Sequence, residues 1–158
     1  RNMSEMLAST LLFFSAANSS ACPVNLKSMR SPFVVSSFKP EALTGFWYEQ
    51  AYIDPAQVGA SCQTLNSTLH SSGELYSDFA VKYGPVPFTI TEIYKPDDSA
   101  IGLYTKSVNE PGGRFVQLST VVVDVRPDDY LVLFSCLGPV NEIVVATRAR
   151  SPSDASVQ

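Results

Sequence analysis

The chain has 158 residues, the length of one domain or of one domain with a tail. Hydrophobic residues make up 45% and charged residues 16%, a balance that builds a core and excludes a disordered chain. Only 11 Lys and Arg stand against 15 Asp and Glu, for a net charge of −4, so there is no basic stripe for nucleic acid; the lone His, His70, leaves no His-rich metal site and marks no obvious Ser-His-Asp triad.

The chain opens at Arg1, which is expected to lie within a longer precursor. Met6–Phe14 is a short apolar run after this basic residue, and small residues follow to Ala21. Residues 1–21 read as the hydrophobic part and cleavage zone of a secretory signal. The run is too short to span a bilayer. The competing reading is a short helix that packs on a partner or a membrane surface. Asn2, Asn18 and Asn66 begin glycosylation sequons, meaningful if the chain enters the secretory pathway. Three cysteines, Cys22, Cys62 and Cys136, allow one internal bridge and leave one over. The signal-like start argues for an oxidising compartment, secreted or lumenal.

From Cys22 to Pro40 the chain reads as a Pro-broken loop wrapped along the outside of the domain. After Gly45 the punctuation becomes regular. Strands are predicted over Phe46–Ile53, Ser61–Leu69, Leu75–Tyr83, Pro87–Lys95, Ala100–Ser107, Arg114–Val125, Tyr130–Leu137 and Val140–Ala149. Gly, Pro or Asp bounds nearly every one, and Leu75–Tyr83 alternates with period two. Eight short strands with tight connections and almost no helical periodicity predict an all-β fold, an eight-stranded up-and-down antiparallel β-barrel. A barrel of that size can hold one small ligand, and closure removes its exposed edges. Trp47, the only Trp, follows Gly45 by two residues and is large enough to plug one end.

These residues carry a resemblance. Thr44-Gly-Phe-Trp-Tyr-Glu49 resembles the Gly-x-Trp motif that opens the first lipocalin strand. Asp129-Tyr130 resembles the second lipocalin motif, and Ala149-Arg-Ser-Pro152 the third. Cys22-Pro, Ser61-Cys-Gln-Thr-Leu-Asn66 and Tyr130–Cys136 further resemble apolipoprotein D and the bacterial and plant lipocalins near it. The similarity runs from Cys22 to the end, so residues 22–158 are expected to form a lipocalin-like barrel domain. The helix that relatives carry after the barrel is expected to be missing here. The resemblance implies a barrel floor of Gly45, Trp47 and Arg150, with Arg150 stacked on Trp47 and Arg148 as the alternative if the register slips by two. It also leaves Cys62 without the partner that relatives place beyond the missing helix. Cys22, in a loop with no periodic pattern to hold it, is then expected to bridge to Cys136 near a strand end.

A lipocalin-like barrel implies binding and carriage of a small hydrophobic ligand, a lipid, pigment or isoprenoid. No other cofactor is required. Strand parity with Asn66 outward turns Leu65 and Leu69 inward, and Phe79, Val81 and Tyr83 share a second inward face. Leu131 and Leu133 oppose the outward Cys136. These seven are the candidate ligand-binding residues, unless their side chains simply fill the barrel. Two other function classes compete. A structural subunit in a larger assembly would use the barrel for docking, at a protein complex or a membrane surface. An enzyme similar to violaxanthin de-epoxidase would need an acid, for which Asp78 and Glu92 are the strand candidates.

Overall fold

The computed structural model describes Cys22 and residues 25–152, so the signal-like segment and the sequons at Asn2 and Asn18 lie outside the described residues. Eight antiparallel strands close into a barrel in which each strand pairs with its chain neighbour and β1 pairs with β8. The strands are β1 (Gly45–Ile53), β2 (Ala60–Leu69), β3 (Leu75–Tyr83), β4 (Val86–Pro96), β5 (Leu103–Val108), β6 (Leu118–Arg126), β7 (Tyr130–Leu137) and β8 (Val140–Thr147).

The predicted bounds of β3 and β7 hold to the residue. Three others shift for local reasons. β5 starts at Leu103 because Ala100–Gly102 turns, with Leu103 N–H donating to Ala100 O. β6 starts at Leu118 because Gly112, in the left-handed region at φ 85°, leads into a 3-10 turn over Gly113–Phe115. β8 ends at Thr147, two residues before the predicted end.

The Pro-broken segment before β1 is more ordered than a loop. It forms 3-10 turns at Leu26–Met29 and Pro40–Leu43, and a short helix α1 (Pro32–Ser37). Pro32 and Pro40 occupy first-turn positions, where the missing N–H costs nothing. Ser31 caps α1: its Oγ accepts from Val34 N–H and donates to Asp124 on β6 at 2.5 Å. This anchors the segment to the wall and buries Val34, Phe38 and Leu43 against the lower core.

Two apolar clusters result. The interior cluster centres on Trp47, Leu65, Leu75, Val122, Leu131 and Leu133. The second lies outside the wall, where Cys136, Phe134, Val121 and Leu103 meet Cys22, Leu26 and Met29. Cys22 and Cys136 are bonded across that outer cluster, with Cα atoms 5.8 Å apart, well inside disulfide reach. Cys62 is free and exposed. It sits where the β2–β3 register shifts, and it is the only non-Gly described residue with positive φ, at 59°.

Candidate functional site: the barrel interior

At the closed end, Trp47 is fully buried, and its indole N–H donates to Leu43 O at 2.9 Å. The cation stacked on it is Arg148, with the guanidinium carbon 3.4 Å from the ring centroid. The expectation for Arg150 is therefore corrected. β8 stops at Thr147, so the chain turns before Arg150, which is exposed. Arg148 Nη2, Nη1 and Nε donate to Thr44 O, Phe46 O and Pro127 O, which holds the planar group flat on the indole. Gly45, at φ +86°, serves this approach: a Cβ there would lie 3.2 Å from Arg148 Nη1.

The candidate ligand residues divide between the two ends of the interior. Leu65, Leu131 and Leu133 are buried around the floor. With Leu43, Leu75 and Tyr94 they line a space of about 10 Å³, room for roughly one water. Leu69, partly buried, pairs with Leu75 beside the turn at the closed end. Phe79 and Val81 are buried in the upper half, paired with Ile90 and Phe88 of β4. Tyr83 stands at the mouth, 38% exposed, its ring 6.5 Å from that of Phe88. Asn66 is exposed on the outer face, as the parity reading expects.

The main addition to the sequence reading is a set of charges inside the barrel. Lys106 of β5 is buried, and its ammonium bonds Glu92 of β4 at 3.3 Å and Glu142 of β8. Tyr94 Oη donates to the other Glu92 oxygen at 2.6 Å, joining this trio to the floor space that Tyr94 lines. Interior hydroxyl pairs flank it: Ser67 donates to Ser77 at 2.9 Å, and Thr120 and Ser135 share a bond of 2.8 Å. Burial opposes charge on Lys106, but Glu92 and Glu142 outweigh it and hold the ammonium above its usual range. Burial raises the Glu142 carboxyl, and Lys106 opposes the rise.

Glu49 of β1 lies near this trio. Burial, then the Glu92 charge, pushes its carboxyl up to about 8, against Gln57 and Lys106. Gln57 ends a 3-10 turn over Pro55–Gln57 in the β1–β2 connection; it is 4% exposed and bonds the Glu49 carboxyl group. The β1–β2 connection thus places a buried polar side chain over the interior. Sequence reasoning passed over Glu49, Gln57, Gln63, Lys106 and Glu142. Parity offered a signal: Glu49 follows Trp47 by two and Lys106 follows Tyr104 by two, on inward faces. The two acids considered for catalysis part company. Glu92 is held by Lys106 and Tyr94, whereas Asp78 is exposed and accepts from Thr91 Oγ1 at 2.7 Å. Among the described residues, no three or more His, Cys, Asp or Glu side chains are grouped to hold a metal ion.

No family model matches the chain, and no curated protein matches it. Solved structures do. Lobster apocrustacyanin A1 superposes with a TM-score of 0.61 at 14% identity, over 73% of this chain and 66% of that one. The cockroach allergen Per a 4 gives 0.63 at 14%, over 87% and 81%. The amine-binding protein of Rhodnius prolixus, solved as its tryptamine complex, gives 0.58 at 18%, over 77% and 71%. The fold is lipocalin-like. At these identities the likeness carries the barrel and its topology; the apolipoprotein D resemblance rests on the sequence motifs alone.

Proposed function

We propose that this lipocalin-like barrel binds and carries a small organic ligand with an apolar body, held in the upper half of the interior. One observation carries the reading. Phe88, Ile90 and Val144 pack on the interior core yet stay partly exposed, which supports a ligand reaching the upper interior between apolar walls. Phe79, Val81 and Tyr83 form the ligand wall in this reading. Leu65, Leu69, Leu131 and Leu133 form its base. The Cys22–Cys136 bridge fits a secreted or lumenal protein, and the outward Asn66 is available to a glycan there. The interior charges serve to bind and orient rather than to turn over, since Lys106, Glu92 and Glu142 already satisfy one another.

Titration with Nile red, a neutral apolar dye, tests the reading. Saturable 1:1 emission enhancement is expected, and Val81→Arg, which puts a bulky charge in the wall, should abolish it while the variant still folds by circular dichroism. Equal dye binding by folded Val81→Arg would place the site elsewhere.

A second reading has its own observation. Phe115, Val58 and Ile53 are 92%, 79% and 62% exposed on or beside connections at the open end. Apolar side chains so placed also suit a docking module in a larger assembly or at a membrane surface. Partner chains that co-purify and dissociate on Phe115→Asp would favour it.

A further inference from the structure

The charges inside the barrel do not balance. Three acidic side chains, Glu49, Glu92 and Glu142, surround one ammonium, and that ammonium is bonded to Glu92 and Glu142. Asp54 adds a further negative field from the adjoining connection. The surplus falls on Glu49, whose Oε2 is buried without a hydrogen-bond partner among the described residues. Beside it, Gln57 is 4% exposed and leaves its own Oε1 equally unpartnered. Two orphan oxygens beside the Glu92 and Glu142 carboxylates and the Asp54 field call for a cationic group with several N–H donors. A primary ammonium provides three donors and one charge. An anion would meet the Glu92 and Glu142 carboxylates and the Asp54 field, and among the described residues the donor set is not grouped for a metal. The same interior supplies Phe79, Val81, Phe88 and Ile90 for an apolar body.

We infer that the ligand is a small organic amine, its ammonium bonded to Glu49 and Gln57 and its apolar body against the upper wall. This rests on the reading of the barrel as a ligand binder. Gln63, 8% exposed, leaves Nε2 without a partner among the described residues, a donor that fits a hydroxyl or carbonyl oxygen on the same molecule.

Proton linkage follows. The groups around Glu49 are Glu92 and Tyr94 on β4, Lys106 on β5, Glu142 on β8 and Asp54 on the connection. Burial and Glu92 keep the free Glu49 carboxyl protonated at neutral pH. An arriving ammonium favours the carboxylate, so Glu49 gives its proton to solvent as the ion pair forms. The amine keeps its own three protons. Binding should therefore tighten about tenfold per pH unit up to about pH 8, and flatten above it.

Isothermal titration calorimetry with 2-phenylethylamine, at pH 6, 7 and 8 in buffers of different ionisation enthalpy, tests this, with 2-phenylethanol as the neutral control. The amine should bind 1:1 and release about one proton at pH 6 and 7. The alcohol should bind more weakly and release none. Glu49→Gln should abolish the proton release and weaken amine binding at least tenfold at pH 8. Gln57→Leu, which leaves the carboxyl in place, should weaken the amine and keep the release. Equal binding of alcohol and amine, or an unchanged Glu49→Gln, would overturn the inference. Nile red binding without amine binding would overturn it while leaving the ligand-binding reading intact. Failure of both probes would remove both.

Discussion

Arg148 lies flat on Trp47, its guanidinium carbon 3.4 Å from the indole centroid, and its three nitrogens donate to carbonyls on two separate stretches of chain. One side chain thus ties the end of β8 to the start of β1 and to the β6–β7 turn, closing the barrel where the sheet meets itself. The indole N–H bond to Leu43 O adds the segment before β1 to the same knot.

Truncation at this knot should be costly, and at its sequence neighbour it should not. Trp47→Ala is expected to cost about 3–5 kcal/mol, as for other large buried aromatics. Arg148→Lys keeps the charge but loses the planar fork, and should cost about 1–2 kcal/mol. Arg150→Ala, at an exposed site, should stay within about 0.5 kcal/mol of the parent. Urea unfolding of the three variants orders them. An Arg150 effect larger than that of Arg148 would reverse the assignment.

The disulfide ties a chain separation of 114 residues. Loop-entropy models put such a bridge at about 4–5 kcal/mol, with strain and residual structure lowering the measured value. Cys22→Ser with Cys136→Ser should therefore lower the urea midpoint clearly. Peptide mapping without reductant should recover the 22–136 pair, and one thiol, Cys62, should react with a water-soluble reagent in the native protein. Two or more reactive thiols would contradict the pairing.

The buried trio makes a contrast of two variants. Lys106→Ala leaves Glu92 and Glu142 facing each other without a cation, and should cost about 3–5 kcal/mol. Removing all three charges together, with Lys106→Met, Glu92→Gln and Glu142→Gln, should be close to neutral or stabilising. Thermal melts decide it. A triple variant as unstable as Lys106→Ala would show that the ion pairs add net stability.

Glu49 gives stability a pH dependence of definite sign. Its folded pKa, about 8, exceeds the ordinary value of 4.5, so the folded state holds more protons between those values. Its favourable contribution is complete below about pH 4.5 and is lost as pH rises through about 8. The slope from this one group is at most about 1.4 kcal/mol per pH unit. Glu142, also raised, adds in the same direction, while the lowered Asp124 and Asp97 act at acid pH in the opposite one. Glu49→Gln should be flatter than the parent from pH 5 to 8, and relatively more stable at pH 8. Parallel curves would show that Glu49 titrates normally.

The sequence made the barrel legible because its signals were local. β3 and β7 were bounded to the residue, since each alternates or runs apolar between Gly, Pro and Asp turns. The starts of β5 and β6 were misplaced because Ile101 and Phe115 look strand-like, although Gly102 and Gly112 turn the chain beside them. The choice between Arg148 and Arg150 depended on where β8 lets go of β1. Pairing of Tyr48 with Thr147 sets that point, a contact almost 100 residues apart in sequence. The interior charges were harder still. Charged residues ordinarily face water, and only the joint inward parity of strands β1, β4, β5 and β8 brings Glu49, Glu92, Lys106 and Glu142 together.

Native mass spectrometry of protein purified from its own source without denaturation tests the central claim most directly. A 1:1 complex with a small organic molecule is expected, released when the protein is denatured and not regained by Val81→Arg on incubation with the extract. Protein of bare mass that takes up nothing from the same extract, or an adduct that Val81→Arg regains in full, would contradict it.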